Sequence, residues 1–234
     1  MRTLVLVPFA FACSVASSSD VATSDIKPHF SATVVGDILT VSAHFTTDAE
    51  KGSLLTYVDL ADGDTLTLTV EGVDIPFEEI TATNTASGDE DYATYESAGA
   101  WTGSEGEVTV AFTREKGDSA PESVLPIPPD FTLDPLDATH VVNTDLAVTW
   151  SPTGDDLIDG TLSGDCVERL EVKDQADAGT WTVPAASLAP TEVCEVTARI
   201  DRHRDGTLDP AFNQDGEASG QQSRTDKTVL ADAE

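Results

Sequence analysis

Basic residues are scarce in this sequence of 234 residues. It has 12 Lys and Arg against 43 Asp and Glu, a formal net charge of −31 at pH 7. The acidic surplus divides evenly between the two halves of the chain. Nucleic-acid binding needs clustered Lys and Arg to neutralise phosphates, so the composition excludes a nucleic-acid partner. An even surplus is instead typical of a solubilising surface.

The motifs of common enzymes are absent as well. There is no G-x-S-x-G nucleophile elbow, no H-E-x-x-H zinc motif and no Walker or dinucleotide-binding glycine pattern. The four histidines stand singly, and with 43 acidic residues adjacent carboxylates arise by number alone. We therefore predict a protein without enzymatic activity.

One short apolar run, residues 4–12, follows Arg2. It is too short for a bilayer span, which needs roughly 20 residues, but fits the apolar region of an export signal. Residues 10–13 (AFAC) resemble a bacterial lipobox. The resemblance implies a signal peptide over 1–12, a lipid anchor on Cys13 as the sole membrane attachment, and, with Ser14 next, the outer membrane. Ordinary secretion and the absence of any signal are the alternatives. Residues 13–25 predict a flexible tether.

Lipidation of Cys13 would leave one cysteine pair, Cys166 and Cys194, in an oxidising compartment. A disulfide is expected there, because two isolated cysteines lack further thiol or imidazole ligands for a metal. Closing a loop of that length stabilises the folded state by roughly 3.5 kcal/mol in the chain-entropy view.

The hydrophobic pattern repeats every two residues rather than every 3.6, which predicts an all-β protein. Turn residues separate the runs, and the run 83–91 predicts an exposed loop. Short strands about ten residues apart predict a β-sandwich over 26–118. Its strands are expected at 29–35, 37–45, 54–60, 65–71 and 107–114.

Residues 119–130 contain four prolines and predict a semi-rigid linker between two modules. A second sandwich is expected over 131–234. Its strands are expected at 146–150, 157–165, 167–173, 179–184, 192–201 and 219–230. In the fifth of these, alternation places Cys194, Val196, Ala198 and Ile200 inward.

The run LAVTWSP, residues 146–152, resembles the second strand of fibronectin type III and related immunoglobulin-like domains, whose tryptophan is buried. With GDC, the second cysteine strand and RDGTLDPAF, the second half resembles a module of uncharacterised bacterial cell-envelope lipoproteins. The resemblance implies two tandem immunoglobulin-like β-sandwich domains after a lipoprotein-type signal. It implies no catalytic residue.

A calcium site is the sharpest chemical hypothesis. Asp201, Asp205 and Asp209 occupy positions one, five and nine of a partial EF-hand-type loop, with Gly206 at position six. His203 at position three and Phe212 at position twelve depart from that pattern. The alternative is a hairpin turn, and no other cofactor is expected.

Trp101 lies between glycines in a predicted loop and is the candidate for an exposed sugar-binding ring. The function expected from the sequence is a non-enzymatic envelope protein that binds another envelope protein or an extracellular polymer. A carbohydrate-binding module and a calcium-dependent adhesion module are the alternatives.

Overall fold

The computed structural model describes residues 14–48, 56–84, 90–188, 190 and 193–231. Among these, strands dominate and the helices are three single 3-10 turns, Ser18–Asp20, Thr23–Asp25 and Ala185–Ser187. No described helix is long and apolar enough to cross a membrane. The strands are β1 Ser14–Ser17, β2 Lys27–Val35, β3 Ile38–Thr47, β4 Thr56–Asp59, β5 Thr65–Val70, β6 Val73–Pro76, β7 Glu78–Asn84, β8 Glu90–Ala100, β9 Gly106–Thr113, β10 Ala120–Ile127, β11 Thr132–Leu133, β12 Thr139–Val141, β13 Leu146–Ser151, β14 Leu157–Gly164, β15 Val167–Ala176, β16 Thr180–Val183, β17 Cys194–Asp205 and β18 Glu217–Ala231.

One large sheet of eleven described strands runs through both halves of the molecule. Its main order is β1-β4-β3-β2-β18-β17-β14-β15, with β7, β8 and β12 attached beside it. The halves meet where β18 pairs in parallel with β2, from Glu217 opposite His29 to Ser223 opposite Val35. On its other edge β18 pairs with β17 along twelve residue pairs. The all-β class predicted from the sequence is confirmed.

Two smaller sheets cover one side of the large sheet and form two hydrophobic cores. The sheet β10-β9-β5-β6 covers the first half, and β11-β13-β16 covers the second. Alternation explains both cores, since every second residue of these strands is apolar and buried. In β2, for example, Phe30, Ala32 and Val34 are at most 2% exposed.

Polar contacts join the two cores. Gln222 of β18 donates to the carbonyls of Ser104 and Pro128. Arg202 of β17 is 1% exposed and donates to the carbonyl of Pro129. The Ser104 carbonyl also accepts from the amide of Asp130, so these bonds hold residues 104 and 128–130 against β17 and β18.

The flexible tether expected over 13–25 is wrong for its described part. Ser14–Ser17 pairs in parallel with β4, and the side chain of Ser18 is fully buried. Ser18 Oγ donates to Asp64 at 2.7 Å, and the Arg114 guanidinium donates to the carbonyl of Val21 at 3.0 Å. A polar, aperiodic segment is therefore ordered by side chains distant in sequence.

The linker expected over 119–130 is also wrong, because Ala120–Ile127 forms β10. Leu125 and Ile127 are fully buried in the first core. β10 is the edge strand of its sheet and pairs only with β9 there. An edge strand tolerates residues that lack an N–H, which explains how Pro121 and Pro126 fit.

The individual strands follow the predicted pattern closely. All eleven expected strands are present, with ends shifted by a few residues. In β17, Val196, Ala198 and Ile200 are fully buried, as alternation predicted. Strands β7 and β8 shorten the loop expected over 83–91, whose centre, 85–89, lies outside the described residues.

Candidate functional site: the open face of the large sheet

The large sheet has a second side that no other described sheet covers, and we call it the open face. It carries the alternate residues of its strands, and in β14, β17 and β18 these are mainly polar. In β17 they include Thr197, Arg199, Asp201 and His203, each opposite a residue of β14 in register. Because the opposite side of the sheet holds the cores, this side is free to contact a ligand.

A groove crosses the open face over β14, β15 and β17. Its volume is about 390 Å³. Its charged lining consists of Asp159, Arg169, Glu171, Lys173, Arg199 and Asp201. The six charges cancel, in contrast to the net charge of −31 for the chain.

Ion pairs hold the charged side chains of the groove in place. Arg169 Nε lies 2.6 Å from Glu171, and Arg199 Nε lies 2.8 Å from Asp201. Both pairs are partly exposed, so they add little to stability. Their guanidinium and carboxylate edges still offer hydrogen bonds to a ligand.

Three side chains of types that can ligate a metal ion converge beside the groove. His203 Nε2 lies 3.4 Å from Asp159 Oδ1 and 3.6 Å from Asp174 Oδ1. The three ligand atoms lie within 4.8 Å of one another. It is the one such group of three among the described residues.

A pair of histidines lies on the open face of the first half. His29 and His44 are opposite in register, and their rings stack with centroids 4.5 Å apart. Burial, then the neighbouring His29, lowers the pKa of His44 to about 4. His29 Nε2 lies 3.3 Å from Thr46 Oγ1, and its Nδ1 lies 3.7 Å from Glu217. A neutral His44 is therefore the form that the folded protein favours.

The structure does not assemble the calcium loop expected at Asp201, Asp205 and Asp209. Asp201 and Asp205 lie within the extended strand β17, four residues apart, which separates them by roughly 13 Å. Asp209 is buried, and its two carboxylate oxygens accept from the amides of Glu122 and Ala211. That carboxylate serves to join β10 to the segment after β17. The structure therefore does not bring these three carboxylates together, and calcium binding by them stays a prediction.

The expected exposure of Trp101 is wrong. Trp101 is 6% exposed and belongs to the first core. Its ring packs against Gly103 and Gly106, where an added Cβ would lie 3.2 and 3.1 Å from ring atoms. The glycines that made the segment resemble a loop are there to admit the ring.

Cys166 and Cys194 form a disulfide, as expected, with Cα atoms 6.1 Å apart. Cys166 is buried in the second core. The expected lipidation site, Cys13, lies outside the described residues.

Sequence reasoning missed the groove and the group at His203. One signal for the groove was available. Residues 157–165 and 192–201 were expected as strands, and the polar residues that alternate along them must share one face of the sheet. The register that brings Asp159 diagonal to His203 cannot be read from either strand alone.

No protein-family model matches the sequence, and no curated protein matches it. Among solved structures, the chain is similar to one described as "Bacteroides ovatus mixed-linkage glucan utilization locus (MLGUL) SGBP-B in complex with mixed-linkage heptasaccharide". The identity is 12% and the TM-score 0.21, over 94% of this chain and 66% of that chain. A TM-score this low carries no argument about fold or ligand, and no family is assigned.

Proposed function

We propose that the protein is a non-enzymatic binding module of the bacterial cell envelope, and that its groove binds a neutral extracellular polysaccharide. One observation carries the proposal: the groove is charge-balanced on a chain of net charge −31. A polyanion would meet the carboxylates of an acidic protein, whereas a neutral sugar chain would not be repelled. Arginine and carboxylate side chains together offer donors and acceptors that match sugar hydroxyls.

The non-enzymatic part is supported by where the large pKa shifts fall. Among the described residues, the large shifts are in the pKa of His44, lowered to about 4, and of Tyr95, raised to about 12 by burial. Neither residue lines the groove. Catalytic sites tend to concentrate perturbed groups in one cleft.

Binding of an envelope protein by strand addition is the second candidate. β15 is the last strand of the large sheet, and its outer edge has no partner among the described strands. However, β15 carries Glu168, Arg169, Glu171 and Lys173, and charged side chains are how native edge strands resist such pairing. The groove is therefore the better candidate surface.

The test is retention on a panel of neutral polysaccharides, including mixed-linkage glucan, by affinity electrophoresis. Arg199→Ala should weaken binding about tenfold, because it removes a charged hydrogen-bond donor from the centre of the groove. Lys227→Ala is the matched control, since Lys227 is exposed on β18 but does not line the groove.

Three results would contradict the proposal. If no polysaccharide of the panel is retained, a neutral polysaccharide is excluded as the ligand. If Arg199→Ala and Lys227→Ala weaken binding equally, the groove is excluded as the binding surface. Release of new reducing ends from a retained polymer contradicts the absence of catalysis.

A further inference from the structure

We infer that Asp159, Asp174 and His203 form a binding site for a divalent transition-metal ion, with Zn²⁺ the best match. The inference does not depend on the polysaccharide, although Asp159 also lines the groove. Two carboxylates and one imidazole are a donor set that suits zinc and leaves a coordination position open.

The spacing of the donor atoms fits such an ion. Zinc binds imidazole nitrogen and carboxylate oxygen at roughly 2.0–2.2 Å, so neighbouring ligands of a tetrahedral ion lie roughly 3.3–3.6 Å apart. His203 Nε2 lies 3.4 and 3.6 Å from the nearest oxygens of Asp159 and Asp174. The three atoms could close around one ion with little movement.

The imidazole nitrogen is the second, independent observation. His203 Nε2 is buried and makes no hydrogen bond within the described structure. It faces two carboxylates, at 3.4 and 3.6 Å, and forms a hydrogen bond with neither. Burying a polar atom without a partner is costly, and a metal ion in that position would supply the missing partner.

A β-bulge positions Asp174, the most exposed of the three side chains. Ile158 pairs with Gln175 and Gly160 pairs with Val172, so two residues of β15 stand opposite Asp159. One of them, Asp174, has a φ of 51°, in the left-handed region. Its amide donates to Asp159 Oδ1 at 2.8 Å, which fixes the two carboxylates relative to each other. Bulges commonly redirect a side chain in this way.

The chemistry favours a transition metal over calcium. Calcium takes six to eight oxygen ligands, and an imidazole nitrogen is a poor donor to it. The two carboxylates would neutralise one divalent ion. The basic side chains of the groove pair with other carboxylates and not with those of the proposed site. Arg199 pairs with Asp201, and Lys173 lies 3.8 Å from Glu171.

The experiment is calorimetric titration of the full chain with Zn²⁺ at about 150 mM salt and with excess Mg²⁺, which screens weak binding to the acidic surface. Wild type should bind one saturable equivalent. Asp174→Asn should weaken Zn²⁺ binding at least tenfold and leave the melting temperature of the metal-free protein unchanged, because Asn tolerates the same backbone conformation. His203→Gln should weaken binding at least as much.

Matched variants locate the ion. Asp165→Asn changes an exposed aspartate in the turn after β14 and should bind Zn²⁺ like wild type. Cys13→Ser tests for binding by a thiol, and His44→Gln tests for binding by the stacked pair His29 and His44. The inference is overturned if wild type shows no saturable equivalent, if Asp174→Asn binds as tightly as wild type, or if Ca²⁺ competes equally. Loss of binding in Cys13→Ser or His44→Gln but not in His203→Gln also overturns it.

Discussion

The two hydrophobic cores of this protein are held together in different ways. The first contains 24 buried hydrophobic residues of the described chain, and the second contains 13. At the centre of the first, four phenylalanine rings contact one another, with centroids 5.6–6.3 Å apart. They are Phe30, Phe45, Phe112 and Phe212.

The second core adds a disulfide and a buried ion pair to its apolar contacts. Arg202 Nη2 lies 2.6 Å from Asp177 Oδ2, with side chains 1% and 0% exposed. Asp177 also accepts from Trp150 Nε1 at 2.6 Å and from the amide of Gly154 at 2.9 Å. The Arg202 guanidinium lies 4.8 Å from the ring centroid of Phe131.

The difference shows that a smaller hydrophobic core needs further stabilising interactions. Burial of apolar surface contributes roughly 25 cal/mol per Å², so a smaller core contributes less against the entropy of ordering the chain. Crosslinks are the usual supplement in small extracellular domains. The first core also has a buried ion pair, Arg114 with Asp64, which holds the segment at Ser18, and the Arg114 guanidinium lies 5.8 Å from the ring centroid of Phe112. The disulfide is therefore the clearer difference between the two cores.

The largest effect is expected from Asp177→Ala. It leaves the Arg202 charge buried without its carboxylate and removes the acceptor of Trp150, so the free energy of unfolding should fall by about 3–5 kcal/mol. Denaturant unfolding measures this, with Asp205→Ala, an exposed change on β17, as the control. A loss below 1 kcal/mol would show that the second core does not depend on its ion pair.

The next largest loss of stability is expected from removing the disulfide. Replacing both Cys166 and Cys194 by Ala should lower the free energy of unfolding by roughly 3.5 kcal/mol for a bridge spanning 28 residues. Fluorescence can then separate the cores, because Trp101 belongs to the first and Trp150 to the second. If the shared sheet makes the cores one cooperative unit, single-tryptophan versions should unfold at the same denaturant concentration. Separate midpoints would mean that the comparison is between two independent modules.

The smallest expected effect is a pH dependence of the free energy of unfolding, caused by His44 in the first half of the chain. His44 has a folded pKa of about 4 against an ordinary value of 6.5, so the unfolded chain binds the extra proton between these values. The free energy of unfolding should be unaffected by this group above pH 6.5 and fall by roughly 1–2 kcal/mol between pH 6.5 and 4, allowing for solvent screening of a partly exposed ring.

The measurement compares how steeply the free energy of unfolding changes with pH, and not its absolute value, since His44→Gln also changes packing. The variant should lose this pH dependence relative to wild type, and His140→Gln should retain it. Parallel curves for wild type and His44→Gln would show that the stacked pair is not protonation-sensitive.

Local patterns predicted eleven of the eighteen described strands, because alternation records which side of each strand is buried. The same patterns could not reveal the partners of the strands. β10 was missed because its prolines are compatible with an edge strand only, and being an edge strand depends on the rest of the sheet. β1 was missed because its order comes from pairing with β4, and the segment after it was missed because Asp64 and Arg114 hold Ser18 and Val21.

The candidate site was less predictable than the fold. Asp201, Asp205 and Asp209 were grouped by sequence spacing, but an extended strand separates residues that a loop would gather. His203 was expected to be a poor calcium ligand, because an imidazole nitrogen is a weak donor to that ion. Its partners, Asp159 and Asp174, come from strands paired through a bulge, and the sequence gives no sign of which residue the bulge turns.

The pairing of β18 with β2 has a consequence for the order of folding. Gln221 and Thr33, which share a hydrogen bond, are 188 residues apart in the chain. β2 therefore keeps one unpaired edge until β18 has been synthesised, and closing so long a loop makes the search slow. During that interval the nascent first half exposes a strand edge able to pair with other chains. A chaperone that shields Lys27–Val35 would be of most use before the last strand emerges from the ribosome.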